Sequence, residues 1–79
     1  MDIVQGSIVR ALAGRDKGGY FVVLALAGDF AYIADGRRRR VQSPKRKKLR
    51  HLAVTNFVYE GSQRTDPQIR KALSTFNGG

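Results

Sequence analysis

The sequence predicts a mainly β domain: about five short strands forming a small barrel, followed by a C-terminal α-helix. Three observations carry that expectation. Residues 1–55 hold short apolar, β-branched and aromatic runs separated by glycine-bearing turns, the pattern of a small all-β domain. The last third changes to apolar residues at helical spacing. The chain has 79 residues and no cysteine, so a single core must hold it without a disulfide or a cysteine-held zinc. A domain of this size buries only about 60% of the surface its unfolded chain exposes.

Each element follows from its residues. In 6–13, Ile8, Arg10 and Leu12 fall on one face of a strand and Val9 and Ala11 on the other. Both faces are mostly apolar, as in a strand of a closed barrel. The glycines of 14–19 make a turn. Tyr20–Ala27 opens with aromatic and β-branched residues and reads as the central strand. Gly28-Asp29 has the form of a two-residue hairpin connection to a third strand, Phe30–Ala34. Asp35-Gly36 is a second hairpin signal, with 37–42 as the returning strand and Ser43-Pro44 as its break. The last strand is expected over 49–54, with Leu52 and Val54 on one face and His51 on the other. Residues 56–64 read as a connecting loop. Thr65-Asp66-Pro67-Gln68 is a helix start, with Thr65 or Asp66 as the cap and proline in the first turn. Ile69, Leu73 and Phe76 then form one apolar stripe, and Asn77-Gly78-Gly79 ends the helix. Too short to persist alone in water, this helix is expected to pack on the barrel. The organisation is therefore a barrel over 1–55 and a loop with its helix over 56–79.

Charge points to the partner. Lysine and arginine number 15 against 6 acids, a formal net charge of +9. Nine of those cations lie in the 14 residues 37–50, which hold no acid; outside that window six cations balance six acids. A local polycation is thus carried by an otherwise neutral domain. It is anchored between apolar segments, and a polyanion relieves its self-repulsion through counterion release. The longest apolar run, Tyr20–Ala27, is eight residues, against roughly 20 for a membrane-spanning helix. Residues 1–6 lack the basic and apolar regions of a secretory signal. A cytoplasmic protein without membrane contact is expected.

The strand–loop–strand unit resembles a KOW motif: Gly6-Ser7-Ile8-Val9-Arg10, then Ala13-Gly14-Arg15-Asp16-Lys17-Gly18, then Phe21-Val22-Val23. Ile33-Ala34-Asp35-Gly36 and His51-Leu52-Ala53-Val54-Thr55 look like the later strands of archaeal and eukaryotic large-subunit ribosomal proteins of the fourteen-e type, which read Val-Asp-Gly and Leu-x-Leu-Thr at comparable places. The chain is also similar to short bacterial KOW domain-containing RNA-binding proteins, which carry a terminal Ile-Arg-Lys-Ala-Leu helix, here Ile69-Arg70-Lys71-Ala72-Leu73. The resemblance covers roughly 5–55 and 65–76. It implies an SH3-like barrel and binding to structured RNA, ribosomal RNA of the large subunit above all. The basic window is denser here than in the ribosomal proteins.

The candidate RNA-binding residues are Arg15, Lys17, Tyr20, Arg37, Arg38, Arg39, Arg40, Lys45, Arg46, Lys47, Lys48 and Arg50. Residues 14–19 offer backbone amides as an anion nest and the side chains of Arg15 and Lys17, where the alternative is a plain turn. On a strand, Arg37, Arg38, Arg39 and Arg40 alternate sides; their guanidinium forks suit phosphates and exposed bases, where the alternative is an edge protected by charge. Ser43-Pro44-Lys45-Arg46-Lys47-Lys48 reads as a mobile loop that follows a phosphate backbone. Its rival readings are a minor-groove DNA segment and a nuclear import signal. Tyr20, Phe21, Phe30 and Tyr32 can stack on bases, but their strand positions favour core packing; Tyr20, at the loop edge, is the best stacking candidate of the four.

Catalysis finds no support. The single histidine, His51, can be combined with Ser43 and Asp35 on paper, but no spacing distinguishes that from chance. One histidine and six scattered acids make no metal cluster. The expectation is a non-enzymatic, cofactor-free, monomeric RNA-binding protein. The alternatives are a KOW-type protein-interaction adaptor of the transcription or translation machinery and a basic DNA-binding protein.

Overall fold

The computed structural model describes residues 2–78; Met1 and Gly79, the second of the two glycines expected to end the helix, lie outside them. Five strands follow one another: β1 (Ser7–Ala11), β2 (Tyr20–Ala27), β3 (Phe30–Ala34), β4 (Lys45–Lys48) and β5 (Leu52–Val58), with a one-turn 3-10 helix, Leu49–His51, before β5. They form one antiparallel sheet in the order β4-β3-β2-β1-β5. The last strand returns to pair with the first, and the sheet curls into a small barrel-like fold. A single helix, α1 (Asp66–Asn77), follows. The mainly β class, the number of strands and the C-terminal helix are as expected.

Both faces of the sheet are covered where β1 and β2 meet. The inner face holds Val9, Ala11, Phe21, Val23, Ala31, Ile33 and Leu52. The outer face holds Ile8 and Val22, onto which α1 presses Ile69 and Leu73, with Phe76 beside them. This is why both faces of the first strand read as apolar. Thr65 is the helix cap: its side chain accepts the N–H of Gln68 at 3.4 Å, and Gly78 closes the other end with φ 77°. Asn77 anchors that end to β2, since its side chain accepts from Tyr20 N–H at 2.9 Å and donates to Tyr20 C=O at 3.0 Å.

Two strand expectations are corrected. Residues 37–42 are not a strand, and the fourth strand is Lys45–Lys48, which the sequence presents as a mobile polycationic loop. The Asp35 carboxylate accepts the N–H groups of Arg37 and Arg39 at 2.9 and 3.0 Å. That side-chain turn consumes the residues a tight hairpin would place in a strand. The chain then pairs with β3 only from Ile33↔Lys45 onward. Four cations have little strand preference of their own; pairing with β3 overrides it. The second correction is at the end. Leu49–His51 is helical, so His51 is not in a strand, and β5 runs on to Val58 instead of ending near Val54. The β1–β5 register shifts between Ser7 and Val9. There the Thr55 hydroxyl donates to Ile8 C=O at 2.7 Å and accepts from Phe57 N–H at 3.1 Å. Such an irregular, polar stretch reads as loop in the sequence.

Candidate nucleic-acid interface

The site is built from two loops that share few sequence neighbours, 12–19 and 35–44. Asp16, in the first loop, is buried, with its side chain 4% exposed. It accepts a forked ion pair from Arg39 in the second loop: Nε lies 3.3 and 3.2 Å from the two carboxylate oxygens and an Nη nitrogen 3.0 Å from one of them. Planar fork-to-carboxylate pairing fixes orientation as well as distance. A second tie comes from β4. The Lys47 side chain turns inward, and its ammonium donates to Ala13 C=O at 2.6 Å. Its aliphatic stem can cover the barrel rim while the charge finds an acceptor there. A Cβ added at Gly14 would stand 2.9 Å from that ammonium, and φ at Gly14 is 79°. The positive φ favours glycine at this position.

The helix holds the second loop from the other side. Asp66 accepts the N–H of Val41 at 2.9 Å, and Arg70 donates to Gly36 C=O at 2.7 Å. Asp16, Asp35 and Asp66 thus hold a cation-rich loop in one shape. Its exposed arginines, Arg37, Arg38 and Arg40, are left at the surface. Arg15, Lys17 and Arg38 line one shallow depression together with Asp16, Gly19, Phe21 and Asp35. The arrangement gathers cations from both loops, which phosphate oxygens suit.

Three amides of the glycine loop are engaged within the protein. The N–H groups of Lys17, Gly18 and Gly19 donate to the carbonyls of Gly14, Ala11 and Asp16 at 3.2, 2.8 and 3.0 Å. These amides serve the turn, so the loop's contribution is the side chains of Arg15 and Lys17, both exposed.

The strand β4 divides its cations by the pleat. Lys45 and Lys47 pair with Ile33 and Ala31 and share the inner face; Arg46 and Lys48 pair with Tyr32 and Phe30 and share the outer face. The Arg46 guanidinium carbon lies 4.5 Å from the Phe30 ring centroid, within cation–π range. Lys48 and Arg50 line a second depression with Asp29, Phe30 and Leu49, where Leu49 N–H donates to Asp29 C=O at 2.8 Å.

Of the nine cations in 37–50, seven are exposed: Arg37, Arg38, Arg40, Lys45, Arg46, Lys48 and Arg50. Arg39 and Lys47 are each tied to the first loop, Arg39 through Asp16 and Lys47 through Ala13 C=O. Tyr20 is half-buried. Its ring packs on Phe76 of α1, centroids 5.1 Å apart, so it belongs to the helix interface. Phe21 is in the core, as expected. Phe30 and Tyr32 are not: both are half-buried and lie outside the two core clusters. The signal for them was present in the alternation of Phe30 and Tyr32 with the inward Ala31 and Ile33. Asp16 was missed altogether, because nothing in the sequence pairs a lone acid with an arginine 23 residues away.

Comparison of the sequence with models of protein families gives no match, and no curated protein matches it. Among the described residues, no group of three or more histidines, cysteines or acids could hold a metal. None of their helices is long and apolar enough to cross a membrane.

Proposed function

We propose that the protein binds structured RNA, ribosomal RNA of the large subunit, through phosphate contacts. The observation that carries this reading is the joining of two loops by Asp16–Arg39 and Lys47–Ala13, with Arg15, Lys17 and Arg38 around one depression. Cations held at set spacing match phosphates held at set spacing, which folded RNA provides. Phosphate contacts position the protein and contribute most of the affinity, while base readout is minor. The ribosomal assignment, and with it a cytoplasmic location and a monomer off the ribosome, rests on the KOW resemblance of 6–23 and the later strands. The reading needs no cofactor and no reaction.

A protein-interaction adaptor is the second reading. Phe57 and Val58, exposed at 58% and 48% on the edge strand β5, favour it. In that reading the cations steer encounter and the edge holds the partner.

Co-sedimentation with ribosomes at low and high monovalent salt tests the first reading. Large-subunit retention at low salt is the expected result. Retention through a high-salt wash marks a built-in subunit, and release marks a bound factor. Absence from ribosomal fractions at both salts overturns the ribosomal reading. Tighter binding to duplex DNA than to structured RNA would point to the DNA alternative.

A further inference from the structure

We infer that the outer face of β3 and β4 is a second RNA contact that stacks an unpaired nucleobase on Tyr32 and on the Arg46 guanidinium lying over Phe30. The inference rests on the RNA-binding reading and adds to it a preference for RNA with unpaired nucleotides.

The face is open for a stated reason. Across β3, the β2 neighbours of Tyr32 and Phe30 are Ala25 and Ala27, both exposed. Methyl groups do not reach over a neighbouring ring, so the β2 side leaves Tyr32 open, while the Arg46 guanidinium lies over the Phe30 ring. Across β3 on the other side stand Arg46 and Lys48. The aromatics therefore lie in a strip between two small residues and two cations, and α1 covers a different part of the sheet. Both rings are half-buried, so part of each remains accessible.

The chemistry selects the occupant. A nucleotide carries a flat π surface and an anion joined by a sugar, and the strip offers rings next to cations. Arg46, over Phe30, presents a guanidinium on which a base can also stack. Lys48 and Arg50, beside Phe30 in the adjoining depression, suit the following phosphate. An apolar peptide would leave these three cations unused. A base inside a duplex has both faces covered by its neighbours, so only an unpaired one can occupy the strip. The stacking strip and the two-loop depression lie towards opposite ends of β4, since Lys48 pairs with Phe30 at the hairpin and Lys45 with Ile33 near the 35–44 loop. An RNA helix on the loops with an unpaired nucleotide on the strip uses both.

The test compares an RNA hairpin carrying 2-aminopurine in its loop with a fully paired RNA of equal length. Binding to the native protein is expected to quench the loop fluorescence through stacking. Tyr32→Thr, which keeps strand preference, is expected to abolish the quench and weaken loop-RNA binding by about tenfold, while duplex binding changes by less than about twofold. Tyr32→Phe is expected to retain the quench. Arg46→Gln, an exposed change, is expected to weaken the loop RNA more than the duplex. Absence of any quench with native protein that binds the duplex overturns the inference and leaves the RNA reading intact. So does equal loss on both RNAs in Tyr32→Thr. Failure of the native protein to bind either RNA overturns both.

Discussion

Asp16 and Arg39 form a forked ion pair across 23 residues of sequence, with the carboxylate 4% exposed and the guanidinium 29% exposed. The pair joins the loop after β1 to the loop after β3, and those loops carry Arg15, Lys17 and Arg38. An arginine from the basic window is thus spent on holding its neighbours in place.

The pair gives a test in which charge and structure oppose each other. Asp16→Asn removes a negative charge beside the depression, so simple electrostatics predicts tighter RNA binding. The expected result is weaker binding, because the two loops separate. The same change is expected to cost about 1–2 kcal/mol of stability, less than the 3–5 kcal/mol of a fully buried broken pair because Arg39 is partly exposed. Denaturant unfolding of Asp16→Asn, Arg39→Gln and the double variant reads the coupling. Additive losses in that cycle would mean that the contact does not couple the loops.

Lys47 and Lys48 are adjacent and of one type, yet opposite effects are expected of them. Lys47→Ala removes the bond to Ala13 C=O and the buried stem, and is expected to cost about 1–3 kcal/mol. Lys48→Ala is expected to leave stability within about 0.5 kcal/mol and to lower the slope of log affinity against log salt by about 1. Thermal melting and a salt titration of each variant measure both effects. A stability loss in Lys48→Ala equal to that in Lys47→Ala would contradict the assignment of faces in β4.

The polycationic strand is expected to be ordered without its partner. Amides of β4 that pair with β3 should exchange slowly with solvent in the free protein, at rates near those of β3 itself. Hydrogen exchange read by NMR settles this. Rapid exchange throughout 45–48, with slowing only when RNA is added, would mean that the strand forms on binding.

Gly36 is one of two contacts between the basic loop and the helix described above, the other being Val41 with Asp66. Its φ is 78°, and an added Cβ would collide with Asp66 C=O and come within 2.9 Å of the Arg70 side chain. Gly36→Ala is expected to destabilise by more than about 1 kcal/mol, since strain and collision act together. Chemical denaturation checks this; an unchanged midpoint would mean that the loop and α1 pack more loosely than described.

Local signals made the fold legible. The turn glycines, the aromatic start of β2, the Gly28-Asp29 hairpin and the Thr65–Pro67 helix start act over a few residues, and each was readable. The position of β4 was not. Where β3 resumes pairing depends on how many residues the Asp35 turn consumes, and that is set by side-chain capture of Arg37 and Arg39 N–H. In the candidate site, the exposed cations were readable from charge alone. The roles of Arg39 and Lys47 were not, because Asp16 and Ala13 C=O are far from them in sequence. Tyr20 was unreadable for a related reason: Phe76, at the far end of the chain, packs on its ring.

The central claim is that the two joined loops form a fixed cationic surface for RNA phosphates. Its most direct test is the salt dependence of binding to a folded large-subunit RNA fragment by native protein and by an Arg15→Ala, Lys17→Ala, Arg38→Ala triple variant. The account predicts a steep slope for the native protein and a slope lower by about 2–3 for the triple variant, with stability unchanged within about 1 kcal/mol. Equal slopes and equal affinities for the two proteins would contradict it.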